Sequence, residues 1–326
     1  MTVVEAPAGR TERDRRKRRL FFALKLVFSL AILVYIILTK APLAEIGRVL
    51  RGVRLSWVLI AFALSAVGLL IAAYRWQILG RAQGDEMPLG FLAKSHLVGL
   101  FFSQFLPTSF GGDIVRIFDG SRYSRSLLKS SAIVAVERGT GLAVLFLFAL
   151  VASLFRVDMA REIPFIWVSL ALGAGGLAAV TVYLLPVTGR WLGRLPDRGW
   201  LGKTRDKVAG FRVHVLEYAR RPGPFLLATA WAFILQVNVV VYYYLIGLAL
   251  GLKIPFLDYF IIIPIVLLVQ ILPVTINGLG LREAAYIALF AAYGISAGTA
   301  VSYSVVDVAL RLVVATVGGL VYMARR

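Results

Sequence analysis

One helix-breaking phrase occurs twice in this chain, 166 residues apart, each time inside an apolar stretch. QFLPTSFGGDIVR runs from Gln104 to Arg116 and QILPVTINGLGLR from Gln270 to Arg282, with Gln, Leu, Pro, Gly and Arg at matching places. Ser109 faces Thr275, Phe110 faces Ile276 and Gly111 faces Asn277. Upstream the echo continues as Gly80, Gly84 and Pro88 against Gly247, Gly251 and Pro255, at an offset of 167. Pro107, Gly111 and Gly112 in the first copy, and Pro273, Gly278 and Gly280 in the second, are hinge or break positions. There the backbone loses a donor or turns freely. A duplicated apolar unit interrupted at corresponding Pro/Gly positions is the arrangement by which transporters place a binding site near the bilayer midplane.

The surroundings of these breaks settle the solvent. Apolar residues make up 60% of the chain, charged residues only 16%, and mean hydropathy is +0.82, so the chain cannot assemble a soluble surface and is an all-α polytopic membrane protein. The formal charge of +19 lies in segments between apolar runs. It reads as topology and anionic-lipid contact rather than nucleic-acid binding. With no cysteine, disulfides, thiolate catalysis and cysteine-held zinc are excluded.

Residues 1–19 carry seven basic side chains between Arg10 and Arg19 and form a cytoplasmic tail; the apolar run from Leu20 to Leu38 is the first span of a single transmembrane domain, residues 20–326. Further spans are expected at 56–79, 131–154, 164–185, 224–247 and 297–323. Between them, 88–122 and 255–294 are helix pairs broken at the repeated phrase, read as re-entrant hairpins or, alternatively, as full crossings. The connection 186–223 holds nine Lys/Arg against three Asp/Glu and is cytoplasmic, as is the C-terminus. Lys40, Arg48, Arg51 and Arg54 in the first external loop run against the bias. On this count repeat A, about 56–154, and repeat B, about 224–323, have inverted topology.

The substrate pathway is expected along the breaks and their charges. In the first hairpin Gln104, Ser109, Asp113 and Arg116 flank a helix start, where free amides and an Arg fork can receive a phosphate; Asp113 as a plain cap neutralised by Arg116 is the alternative. In the second, Gln270, Thr275, Asn277, Arg282 and Glu283 repeat the scheme with Leu279 in place of Asp113, and Arg282 also has a local partner in Glu283. Glu137 and Arg138, and Asp307 and Arg311, are charges within spans, each costing about 3 kcal/mol to insert on translocon scales. They face the interior, as a polar pathway or as mutually neutralised pairs. Tyr74, Arg75 and Trp76 read as an interfacial anchor. Two histidines without an HExxH pattern give no metal signal, GWLGKT lacks the leading Gly of a phosphate loop at Asp197, and no cofactor is implied.

Three ordered blocks, FLPTSFGGDIVR, VERGTGLAVL from Val136 to Leu145 and LPVTINGLGLREAAY from Leu272 to Tyr286, resemble the lysylphosphatidylglycerol synthase transmembrane region family, flippase-like integral membrane proteins. The resemblance covers nearly the whole chain from about Leu20. It implies an all-helical membrane fold and, in the family's two-part members, translocation of an aminoacylated phospholipid between leaflets. The family's two-part members carry a soluble aminoacyl-transferase domain after the membrane part, and here the sequence stops at Arg326, so no synthase activity is expected. The expected function is therefore a non-enzymatic lipid translocase of the bacterial cytoplasmic membrane, with both termini inside, acting on an anionic or zwitterionic phospholipid or another lipid-linked phosphate. The alternative is a membrane-embedded enzyme, or an accessory presenting a lipid acceptor to a separate lipid-modifying transferase.

Overall fold

The computed structural model describes residues 12–105, 111–157, 164–194, 199–271 and 274–325. The breaks at Pro107 and Pro273, with Ser109, lie outside the described residues. Among those described, the regular elements are helices, one short 3-10 turn at Phe256–Asp258 included. In chain order they are α1 (Glu12–Thr39), α2 (Leu43–Arg51), α3 (Leu55–Ala82), α4 (Leu89–Phe105), α5 (Gly111–Ser124), α6 (Leu127–Phe155), α7 (Pro164–Leu184), α8 (Pro186–Gly193), α9 (Gly199–Arg220), α10 (Pro222–Ala249), α11 (Tyr259–Gln270), α12 (Leu281–Ala291) and α13 (Ala297–Ala324). Five are long and apolar enough to cross a membrane: α3, α6, α7, α10 and α13. The first apolar run continues past its expected end by bending through 83° into α2, so Arg48 and Arg51 sit on a helix while Lys40 and Arg54 lie just outside it.

The two halves are built alike from their ends inward. α3 and α10, each 28 residues, stop in the same way: Gly84 and Gly251 take positive φ, and the amides of Asp85 and Leu252 donate back to the carbonyls of Gly80 and Gly247 at 2.9 Å. That closure satisfies carbonyls the helix leaves open, and a left-handed turn favours glycine. α6 and α13 start alike, on Ser126 and Ser296, whose hydroxyls accept from the amides of Lys129 and Thr299, an N-cap that answers one orphan donor.

α3 and α10 pack along their length and run antiparallel. Arg54 N–H donates to the Ala249 carbonyl at 2.9 Å, and Arg221 Nη1 donates to the Ala82 carbonyl at 2.7 Å. Arg54 and Arg221, like Ala82 and Ala249, are 167 residues apart, so each half closes the end of the other at corresponding residues, once through a backbone amide and once through a guanidinium. The remaining packing is crossed in the same sense, α4 lying against α13 and α11 against α6.

Each hairpin leaves from and returns to one end of the bundle. Asp85, ahead of α4, pairs with Lys129 Nζ at 2.7 Å, and Asp119, late in α5, pairs with Arg325 at 2.8 Å; both ties lie at the end where Arg221 meets Ala82. At the opposite end Asp258, ahead of α11, pairs with Arg156 and accepts from Tyr293 Oη at 2.7 Å, just past α12. The arms have 17, 14, 12 and 11 residues, or between roughly 17 and 26 Å at 1.5 Å per residue, against a hydrocarbon core about 30 Å thick. The re-entrant reading fits these lengths and ties.

Close approach sets the inner packing. A Cβ on Gly112 would sit on the Gly99 carbonyl and the Ser103 hydroxyl, so α4 and α5 touch backbone to backbone. α11 is apolar on all sides, and Ile261, Ile262, Ile263, Ile265 and Val266 are all buried, so it belongs to the core rather than to the lipid face. The basic connection folds as α8 and α9. Its end is anchored by Tyr218, whose hydroxyl donates to the Leu79 carbonyl at 2.9 Å; burial pushes that phenol above its usual range.

Candidate functional site

The break of the second hairpin meets the end of α4 inside the bundle. Asn277, at φ 50°, donates its side-chain amide to the carbonyls of Ser103 at 3.0 Å and Gln104 at 3.3 Å. The second break thus caps the open C-terminal end of α4. Its own backbone is held by α1, where Ser29 Oγ accepts from Ile276 N–H at 3.0 Å, and Gly280 packs without room for a Cβ against Ile32.

Beside this junction is a cavity of about 500 Å³ bordered by α3, α4, α5, α6, α10, α11 and α13. Most of its wall is apolar, from Leu69, Leu142, Leu235, Val239 and Leu310 among others. Its polar wall carries the sequence candidates Gln104, Asp113, Arg116, Glu137, Arg138, Asp307 and Arg311, together with Arg75, His96, Gln236 and Asn238.

The charges form two clusters of similar plan. On one side Arg116, from α5, pairs with Glu137 of α6 and with Asp113 at 3.5 Å, Arg138 reaches Asp113 at 2.7 Å, and the Arg116 guanidinium lies over the Trp76 ring at 4.4 Å. On the other side Asp307 of α13, fully buried, pairs with Arg311 and stands 3.9 Å from Arg282 of α12. Tyr242 and Tyr243 of α10 donate to the same carboxylate at 3.2 and 3.4 Å. In each cluster a hairpin arginine meets an acid from the following span. Glu283 closes the second cluster, accepting from Arg282 at 2.6 Å, from Ser304 Oγ and from the Gly280 amide.

Not every candidate reaches the cavity. Arg282 and Glu283 are buried behind Asp307, and Gln270 and Thr275 are part of the second break, with Gln270 against Gly278 and Thr275 buried. Gly111 and Gly112 begin α5, and Gly278 and Gly280 take positive φ.

Arg75 corrects its sequence reading. It is no interfacial anchor but an interior cross-brace, 2% exposed, donating to the Ala228 carbonyl, the Glu137 carbonyl and Thr140 Oγ1, with Trp76 fully buried beside it. The signal that could have found it is its place in register with Tyr242, 167 residues on, which occupies the corresponding wall of the second half.

On the cavity wall, two guanidinium atoms are left over. Arg116 Nε and Arg311 Nε are buried and have no hydrogen-bond partner, as is the case for His96 Nδ1. Each belongs to a side chain on the cavity wall. Among the described residues no group of three or more acidic or histidine side chains is placed to hold a metal ion.

The sequence profile of the lysylphosphatidylglycerol synthase TM region matches residues 22–319, a stretch containing both hairpins and both charge clusters. The chain belongs to that family. Relatives of this lysylphosphatidylglycerol synthase TM region protein include a UPF0104 membrane protein of Methanothermobacter thermautotrophicus, 24% identical over 90% of each chain. A UPF0104 membrane protein of Pyrococcus horikoshii is 22% identical over 90% of this chain and 94% of its own. A second one from M. thermautotrophicus is 25% identical over 87% of this chain and 89% of its own. Family membership and five spanning helices make it a multi-pass membrane protein.

Proposed function

We propose that this protein is a lipid translocase: the phosphate-bearing headgroup of a membrane lipid enters the cavity between the hairpins while its acyl chains stay in the bilayer. The observation that carries this reading is that Arg116 and Arg311, from opposite halves, border one cavity and each keeps a buried, unpartnered Nε. An unpaired buried donor is costly, and a phosphate oxygen is its natural complement. The apolar remainder of the wall suits the stem of an amphiphile.

The antiparallel α3–α10 seam and the crossed packing of α4 on α13 and α11 on α6 support an inverted-topology repeat with the cavity near its axis. Its hairpins are tied at opposite ends by Asp85–Lys129 and Asp119–Arg325, and by Arg156–Asp258. Loosening one set of ties and then the other opens the cavity to each leaflet in turn. Arg282, behind Asp307, positions that carboxylate rather than meeting the lipid. The bias of the basic segments supports cytoplasmic termini.

The test is leaflet transfer of an acyl-labelled fluorescent phospholipid in proteoliposomes, followed by dithionite quenching. Arg116→Gln and Arg311→Gln are each expected to slow transfer by about tenfold or more, the scale of one charge-assisted hydrogen bond. Unchanged transfer in both variants refutes the assignment.

A further inference from the structure

The end of the bundle where α1 bends into α2 gathers cations with nothing in the protein to answer them. Lys40, Arg48, Arg51, Arg54 and Lys253 are all exposed, and among the described residues none of these side chains has a hydrogen bond, an ion pair or a ring contact. The described acids of that end are already engaged: Asp258 holds Arg156 and Tyr293, and Glu45 accepts from Ser296 Oγ at the start of α13. The five belong to one rim. α2 lies across the ends of α1 and α13, with Ile46 buried against Ile36 and Val301, and Arg48 and Arg51 stand one turn apart on its exposed side. Arg54 opens α3 with its amide on the Ala249 carbonyl, and Lys253 follows Ala249 by four residues. None of the five lines the cavity.

Depth decides what these charges meet. Tyr35 and Leu38 stay exposed on the last turns of α1, and Leu55 and Leu59 on the first turns of α3, so those faces lie against acyl chains. Lys40 and Arg54 come within two residues of them, and the 83° bend turns α2 out of the line of α1, along the membrane surface rather than away from it. Basic side chains at that level reach lipid phosphates, with their stems along apolar surface. Like charges gathered without a counter-charge repel one another, and a phosphate between them removes the repulsion. We infer that Lys40, Arg48, Arg51, Arg54 and Lys253 form a binding surface for anionic phospholipid headgroups, separate from the cavity and independent of the translocase reading.

The chain has no cysteine, so Ala44→Cys, exposed one turn before Arg48, carries a single fluorophore on α2. The labelled full chain is placed in phosphatidylcholine nanodiscs, and the fluorophore is quenched by phosphatidylglycerol or phosphatidylcholine bearing a nitroxide high on one acyl chain. Phosphatidylglycerol is expected to reach half-quenching at a mole fraction about fivefold or more lower, the scale of one basic side chain at an anionic surface. Salt that shortens the Debye length to about 3 Å removes the preference. Arg48→Gln/Arg51→Gln in the same background brings the two lipids toward parity, while Lys207→Gln, in the basic connection at the other end, leaves the preference intact.

Equal quenching by the two lipids overturns the inference, as does a preference that the double variant leaves untouched. A loss in Lys207→Gln as large as in the double variant assigns the preference to overall charge and overturns it too. Inorganic phosphate added at constant ionic strength is expected to change nothing; abolition of the preference by phosphate assigns the rim to a soluble anion and refutes the lipid surface. The lipid, salt and phosphate comparisons use Ala44→Cys alone and decide even where the double variant folds poorly. A preference without leaflet transfer upholds the surface and refutes translocation, and transfer without a preference does the reverse.

Discussion

Asp307→Asn removes the charge at the centre of the second cluster while keeping the side chain's shape, and its cost follows from the neighbours left behind. Asp307 is fully buried, pairs with Arg311 and accepts from Tyr242 and Tyr243. Arg282 stands 3.9 Å away but keeps Glu283. The orphaned group is therefore Arg311, whose Nε is already without a partner. Removing one member of a buried pair costs about 3–5 kcal/mol; because the Arg311 side chain is 32% exposed, the expectation drops to about 2–3 kcal/mol. At about 2–4 °C per kcal/mol, apparent Tm falls by roughly 4–12 °C. The chain has no cysteine and six tryptophans, so intrinsic fluorescence or detergent size-exclusion reads the transition where thiol dyes cannot. The decisive variant is Asp307→Asn/Arg311→Gln. If the two side chains form one unit, the double variant is more stable than the sum of the single losses by about 1–3 kcal/mol. Additive losses would refute the pairing and with it the second cluster as a charge-balanced site.

Other perturbations test the frame around the cavity. Gly112→Ala places a methyl 2.2 Å from the Gly99 carbonyl oxygen and is expected to lower stability by about 1–3 kcal/mol or more, whereas Gly139→Ala, with nothing within 4 Å of the added carbon, leaves apparent Tm unchanged. Asn277→Gly keeps the positive-φ backbone and loses the donors to Ser103 and Gln104, so it isolates the cap between the hairpins at about 1–2 kcal/mol; a thermal curve matching wild type would show the tips to be independent. Tyr218→Phe removes the donor to the Leu79 carbonyl and should cost about 1 kcal/mol. Because burial raises the Tyr218 phenol, its contribution is full below the ordinary tyrosine value of about 10 and is lost only as pH rises toward the folded value. The wild-type-minus-variant difference in Tm is therefore flat from pH 7 to 9, and a difference that vanishes in that window would contradict the tie.

The broad frame was legible because a membrane writes its thickness into the chain. Runs such as 56–79 and 297–323 appear as α3 and α13 with only their ends extended, and the two Pro/Gly phrases mark the places where α4–α5 and α11–α12 turn. Depth and partner were not legible, since an apolar residue facing lipid looks the same as one facing protein. Arg75 between Tyr74 and Trp76 therefore resembles an interfacial belt while the structure buries it as a brace. Arg282 carries the same letter as Arg116, but its neighbour Glu283 and the carboxylate of Asp307 draw it off the cavity wall. The pairing of Arg156 with Asp258 joins residues 102 apart that share no local pattern, so only the fold brings them together.

The exchange of ends between α3 and α10 bears on how this protein is made. The carbonyl of Ala82 finds its partner only when Arg221 has emerged from the ribosome, and the last turn of α4 is capped only by Asn277. The first half therefore enters the bilayer with polar backbone still unanswered and matures when the second half arrives. The basic connection, between α8 and α9, is where a split gene would best be divided: fragments 1–194 and 195–326, synthesised separately, are each unfinished alone and should restore one another when present in the same membrane.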